Sequence, residues 1–196
     1  MPALEISVDG VSVVTVNTDG LDVLGINVGG TKIDEELASL NVSGGSYPEG
    51  GQPASLTWVA STPLWAGQKV SVVFHEQGSS TQPGKTIEEL FPDEPPVEQT
   101  DFTPTVEMFK ELRAKPKVRE KFALQLVSSS GASFVGDTST AEHGFGFSVL
   151  WNSFHPERAK VSLHAYTLDS LESRGPFNNL FEEKLTCGGS VELHVA

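Results

Sequence analysis

The run Ser79-Ser80-Thr81-Gln82-Pro83-Gly84-Lys85-Thr86 has nearly the residue types and spacing of a phosphate-cradling loop, placed between an expected strand and the short helical stretch Thr86-Ile87-Glu88-Glu89-Leu90. Such a loop holds phosphate through glycine-flanked backbone N–H groups, a lysine and the N-terminus of the helix behind it. Here serine stands where the first glycine belongs, Pro83 removes a backbone donor, and Glu88 and Glu89 put negative charge where phosphate would sit. Pro92 also ends the helix early, so the stretch reads as an ordinary Pro-Gly turn. Gly144-Phe145-Gly146 begins like a dinucleotide fingerprint, but the third glycine is missing and Ser148 to Trp151 reads as strand. Alternate Phe side chains with glycines facing away mark a close approach of neighbouring backbone.

Five histidines are present, His75, His143, His155, His164 and His194, and none has a compact metal-ligand spacing. A strand between His143 and His155 holds them over ~20 Å apart at ~3.3 Å per residue, too far for one metal. An enzyme would draw on His143 as base and Asp137 as its orienting acid, with His155 or His164 completing a hydrolase-like site between two halves of the chain. No serine is singled out as nucleophile, because the G-x-S-x-G elbow is absent. Cys187, the one cysteine, has only Lys184 nearby to lower its pKa and reads as an inert thiol. It also excludes an intramolecular disulfide, which fits a reducing compartment. No residue set calls for a cofactor or a metal.

Charge is the stronger signal. The chain holds 26 Asp and Glu against 13 Lys and Arg, a formal charge of −13 that repels nucleic acid and anionic membrane surfaces and favours a basic protein partner. Six of the 13 basic residues lie between Lys110 and Lys121, namely Lys110, Arg113, Lys115, Lys117, Arg119 and Lys121. They follow a segment from Gly78 to Phe102 that is rich in Gly, Ser, Thr and Pro and carries Glu88, Glu89, Asp93, Glu94, Glu98 and Asp101. This basic island is either a solvated helix face with local ion pairs to Glu107, Glu111 and Glu120, a docking patch for an anion, or a latch for the acidic segment. Trp65, in Pro63-Leu64-Trp65-Ala66-Gly67, is the candidate aromatic anchor for a partner.

The elements that must position these residues are mostly strands. Leu4, Ile6 and Val8 alternate with polar residues, Val11 to Val16 continue the pattern, and Asp9-Gly10 between them is a hairpin signal. A second turn at Asn17 to Gly20 leads to Leu21, Val23, Ile26 and Val28, with Gly29-Gly30 closing the unit; a helical turn is expected over Asp34 to Leu40 before Gly44-Gly45 returns the chain to loop. Thr103-Pro104 predicts the cap and first turn of a helix with Val106, Phe109 and Leu112 on its apolar face, ended by Pro116. Alternation resumes from Phe122 and lasts to a final strand, Val191 to Val195.

Two stretches match: Ser55-Leu56-Thr57-Trp58 runs through a Pro63 loop into Lys69-Val70-Ser71, and Ser148-Val149-Leu150-Trp151 runs through a Pro156 loop into Lys160-Val161-Ser162. The expected fold is a mainly β chain, a β-sandwich or open barrel over residues 1 to 196, built from two related halves (1–77 and 122–196) with one short α-helix inserted mid-chain. No run approaches the ~20 apolar residues of a membrane span and no secretory leader opens the chain, so the expected location is the cytoplasm. The expected function is non-enzymatic binding of a basic protein, as an inhibitor or immunity-type antagonist would do. The alternatives are the hydrolase-like enzyme and a small-ligand or carbohydrate module that stacks its ligand near Trp58 and Trp151.

Overall fold

The opening alternation folds as a hairpin of β1 (Ala3–Val8) and β2 (Val11–Asn17). Its turn residues Asp9 and Gly10 have φ of 53° and 77°, the pair of positive angles that a tight primed turn needs. Leu4 and Ile6 of β1 face Val14 and Val16 of β2 in the core, so every second side chain is buried. The chain continues through β3 (Val23–Thr31), β4 (Ala38–Ser46), β5 (Ala54–Leu64), β6 (Lys69–His75), α1 (Ile87–Leu90) and α2 (Val106–Ala114). Then follow β7 (Ala123–Ser128), β8 (Ser133–Asp137), β9 (Gly144–Asn152), β10 (Arg158–Tyr166), α3 (Leu168–Glu172), β11 (Asn178–Thr186) and β12 (Ser190–Val195). This computed structural model describes residues 1–93 and 105–196.

Among the described residues all pairing is antiparallel, in two six-stranded sheets ordered β2-β1-β6-β12-β7-β8 and β11-β10-β9-β3-β4-β5. The inward residues of both sheets, among them Leu4, Val72, Phe74, Ile26, Phe147 and Trp151, form one core. The chain is therefore a sandwich, not a closed barrel. The segment after β6 covers two edge strands that would otherwise invite pairing with another chain. Ser80 Oγ and Thr81 Oγ1 accept from the Asn17 and Thr15 amides of β2, and Lys85 exchanges backbone bonds with Thr57 of β5.

The strand order is a palindrome: β1, β2 and β6 occupy one half of the first sheet as β7, β8 and β12 occupy the other, and β3 to β5 relate to β9 to β11 likewise. Registers follow the same scheme. Ala3 pairs with Asn17 as Ala123 pairs with Asp137, and the ladder irregularity after Val42 recurs after Leu163. Two central pairs, Asn27 with Ser148 and Ser71 with Glu192, lie on the approximate two-fold axis through the sheets.

This arrangement corrects the matching of the two tryptophan stretches. The strand of Trp58 crosses from one sheet to the other on its way to β6, whereas Trp151 and Lys160 belong to one hairpin in one sheet. Under the two-fold, Trp58 corresponds to Leu180 and Trp151 to Gly30. Trp151 is wholly buried and its indole donates to the Pro156 carbonyl at 3.1 Å, while Trp58 is half-buried on an edge strand.

Among the described residues there are three short helices: α1 at the helical stretch expected from Thr86, α2 mid-chain, and α3, which the sequence pattern did not indicate. The helix expected at Thr103-Pro104 starts later, with Thr105 as its cap; Thr103 and Pro104 lie outside the described residues. Thr167 caps α3 reciprocally with Ser170, and Thr86 caps α1 with Glu89. No helical turn forms over Asp34 to Leu40, because β4 begins at Ala38. Gly44-Gly45 lies inside β4 and not in a loop: a Cβ on Gly44 would sit 2.5 Å from the Val23 carbonyl oxygen, so glycine is what lets β3 and β4 close together.

Candidate functional site

One end of the sandwich gathers the tips of β3, β5, β8 and β10, the starts of β4, β9 and β11, and the two helices α2 and α3. The basic island fastens this end. Buried Phe109 seats α2, and Arg113 Nη2 donates to Asp169 Oδ1 and Glu172 Oε2 of α3 at 2.6 Å each. The Arg119 guanidinium donates to the carbonyls of Thr31 (2.9 Å), Glu36 (3.0 Å) and Glu35 (2.9 Å), which holds the β3–β4 loop against the chain after α2. Lys121 pairs with Asp137. The island thus latches α3 and the β3–β4 loop, and no ion pair among the described residues joins two residues of α2.

Between α2, α3 and the sheet lies a cleft of about 270 Å³, lined by Leu112, Arg113, Lys115, Lys117, His143 and Asp169 among others. His143 enters it because its backbone is fixed on both sides: its amide donates to the Tyr166 carbonyl at 2.7 Å and its carbonyl accepts from the Lys32 amide at 2.9 Å. Lys32 is wholly buried beside it, donating Nζ to the Ser139 carbonyl at 2.7 Å. Burial, and then the Lys117 charge, lower its pKa against the opposing pull of Glu142 and Glu120. Burial likewise lowers the pKa of His143, helped by Lys117 and Lys32 and opposed by Asp34. Glu142 is buried with both carboxylate oxygens engaged, by the Ser139 amide at 2.6 Å and Asn178 Nδ2 at 2.8 Å. Burial raises the Tyr166 phenol, with Asp34 adding to it.

Arg113, Lys117 and His143, drawn from different sequence hypotheses, therefore meet at one cleft. Lys110 stands exposed on α2. Asp137 is at the same end but is taken by Lys121. His155 lies beyond the far end of β9, in the turn where its amide bonds Asn152, and His164 stacks on Phe177 with ring centroids 5.0 Å apart. The histidine and carboxylate candidates are thus spread over both ends and the outer face of one sheet. Among the described residues no three His, Cys, Asp or Glu side chains are placed to hold a metal, and no helix is long and apolar enough to cross a membrane. Cys187 is half-buried, and burial, then Glu76, raise its pKa.

Glu88, Glu89 and Asp93 are exposed in and after α1, next to Lys85, which pairs with Thr57 eight positions before Trp65 on the same strand path. Glu94 lies outside the described residues. Trp65 is 60% exposed in the β5–β6 turn, its amide donating to Gln68 Oε1 at 2.9 Å. Gln68 Nε2 in turn donates to Asp9 Oδ2, and the Lys69 amide to Asp9 Oδ1, so the turn is braced on the β1–β2 hairpin whose Val11 is 70% exposed. Leu64 is the ladder partner of Ala38, which places Trp65 beside the loop carrying exposed Asp34, Glu35 and Glu36.

Sequence reasoning missed Lys32, Asp34, Lys115 as cleft residue, and Tyr166. Only the run of apolar residues and glycines before Lys32 hinted that a lysine there could be drawn inside. Comparisons with protein-family models, with curated proteins and with solved structures find no match.

Proposed function

We propose that the protein is a non-enzymatic binder of a basic protein, with Trp65 as the anchor and Asp34, Glu35 and Glu36 as the charged rim. The observation that carries this reading is a 60% exposed indole on a braced turn that runs beside the loop of the exposed residues Asp34, Glu35 and Glu36. A braced aromatic loses little conformational freedom on binding and can supply most of the energy of a contact. Carboxylates around it steer a cationic partner and set its orientation, supported by the −13 formal charge of the chain. Arg119 serves the same surface indirectly. By binding the Glu35 and Glu36 carbonyls it fixes the loop from behind and leaves both carboxylates facing solvent.

An inhibitor or immunity-type antagonist in the cytoplasm would use such a surface. The test is a pull-down from native lysate at low and high salt with three baits: the wild-type chain, Trp65→Ala and Glu35→Gln/Glu36→Gln. A basic protein retained by the wild type, lost with Trp65→Ala and bound with a weaker salt dependence by the double variant supports the reading. Equal retention by all three baits, or retention of nothing basic, defeats it.

A further inference from the structure

The cleft between α2 and α3 has a charge opposite to that of the rest of the molecule. Its lining holds Arg113, Lys115 and Lys117 against one carboxylate, Asp169. Arg113 is already matched by Asp169 and Glu172, so any attraction for an anion rests on the two lysines. Lys117 Nζ reaches only the Thr140 carbonyl, at 3.3 Å, and the Lys115 ammonium has no hydrogen-bond or ion-pair partner among the described residues. Behind the lining, the buried Lys32, bonded to the Ser139 carbonyl, adds a third charge, opposed by Glu142 and Glu120.

We propose that this cleft is a binding site for a small, doubly charged oxyanion, a phosphate monoester or a dicarboxylate, held by Lys115 and Lys117 with Thr167 and His143 as polar contacts. The site is built before any ligand arrives. Arg113 locks α2 to α3, Arg119 locks the chain after α2 to the β3–β4 loop, and the Val118 amide donates to the Lys32 carbonyl at 2.8 Å. The backbone that carries the two lysines is thus fixed in advance, and an anion has to order only their exposed side chains. The volume of about 270 Å³ lies just below the ~300 to 1,000 Å³ usual for ligand pockets, which suits a small molecule. Burial first, and then Lys117 and Lys32 against the opposing pull of Asp34, lower the pKa of His143 at the cleft. Leu112 and Ile33 supply an apolar wall for the carbon part of an ester or diacid. The site shares the β3–β4 loop and Arg119 with the Trp65 surface, but its anion-holding residues, Lys115 and Lys117, are not part of that surface.

The experiment is a titration of the full-length protein with inorganic phosphate and, separately, with succinate. It is followed by NMR at the backbone of residues 113–117 and 140–143 and at the His143 ring, with sodium chloride at matched ionic strength as the control. The expected result is saturable shifts confined to these residues and Thr167 to Asp169, absent with chloride, and weakened at least tenfold in Lys115→Ala/Lys117→Ala. Both substitutions are at exposed positions, and an unchanged unfolding midpoint confirms that the fold persists. Lys69→Ala, on the other sheet, should bind as the wild type does. Saturation by phosphate but not succinate assigns the phosphate ester, and the reverse assigns the dicarboxylate. Shifts that track ionic strength, that spread equally to Lys69, or that survive the double substitution overturn the site, whatever the pull-down with Trp65 shows.

Discussion

At one end of the sandwich the Lys32 amide donates to the His143 carbonyl at 2.9 Å; at the other, the Ser153 amide donates to the Asp22 carbonyl at 2.9 Å. These are corresponding bonds under the two-fold, and each stands on a buried threonine, Thr138 at the first end and Thr18 at the second. The backbone frame is repeated but its contents are not. Where the first end has lysine and histidine under two helices, the second has a short closed turn in which the Asp22 carboxylate accepts from the Tyr47 amide at 2.5 Å and the Ser153 hydroxyl at 3.2 Å. The insertion between β10 and β11 at the first end carries α3, whereas its counterpart between β4 and β5 is the Gly-rich run from Tyr47 to Pro53. A pair of helices over the repeated frame thus roofs a cleft at the first end, where at the second a carboxylate bonds its own loop.

Breaking each end in turn sharpens this contrast. The largest effect should come from Trp151, which fills the second end where the first has Gly30. Trp151→Ala removes a wholly buried indole and should destabilise by ~3 to 5 kcal/mol in urea unfolding, while Trp58→Ala, half-buried on an edge strand, should lose ~1 to 2. Equal losses would restore the equivalence that the strand order denies.

Next comes Arg119→Ala, which removes charge-assisted bonds to three carbonyls and should destabilise by ~2 kcal/mol, with faster amide exchange confined to the β3–β4 loop and the chain after α2. Exchange that rises equally at Asp22 and Ser153 would mean the two ends are coupled.

The pH dependence should also be one-sided. His143 titrates near ~6.5 in the unfolded chain and lower in the folded one, so the unfolded state binds more protons as pH falls. Its contribution to stability is complete above pH ~6.5 and is lost as pH drops toward the depressed folded value. His164, also lowered by burial, acts in the same direction. His143→Gln should flatten the fall in unfolding midpoint between pH 7 and 5 but leave the part due to His164; an unchanged slope would show that His143 is not shielded as its surroundings require. The smallest effect belongs to Asp22→Asn, which keeps an oxygen for the Tyr47 amide and should change stability by under ~1 kcal/mol.

Strand alternation is a local property, and it made β1, β2, β6, β9, β10 and β12 legible before any contact was known. Leu4, Val14, Val72 and Phe147 are buried where period two puts them. β4 was not legible, since Gly44 and Gly45 are poor strand formers alone and become necessary only when the Val23 carbonyl lies against them. The basic island was visible as charge but not as structure. Which carboxylates Arg113 would meet depends on α3, dozens of residues away, and Lys32 is buried only because loops from both halves close over it.

Composition and pattern by themselves determined a strongly anionic, β-rich chain with Trp65 in a turn, because net charge, periodicity and turn residues need no knowledge of neighbours. Tertiary structure alone decided that the turn of Trp65 runs beside the loop of Glu35 and Glu36, that Trp58 and Trp151 are not counterparts, and that cations gather at one end of a negative molecule. Those facts depend on which strands lie side by side, and antiparallel pairing brings together residues that no sequence spacing links.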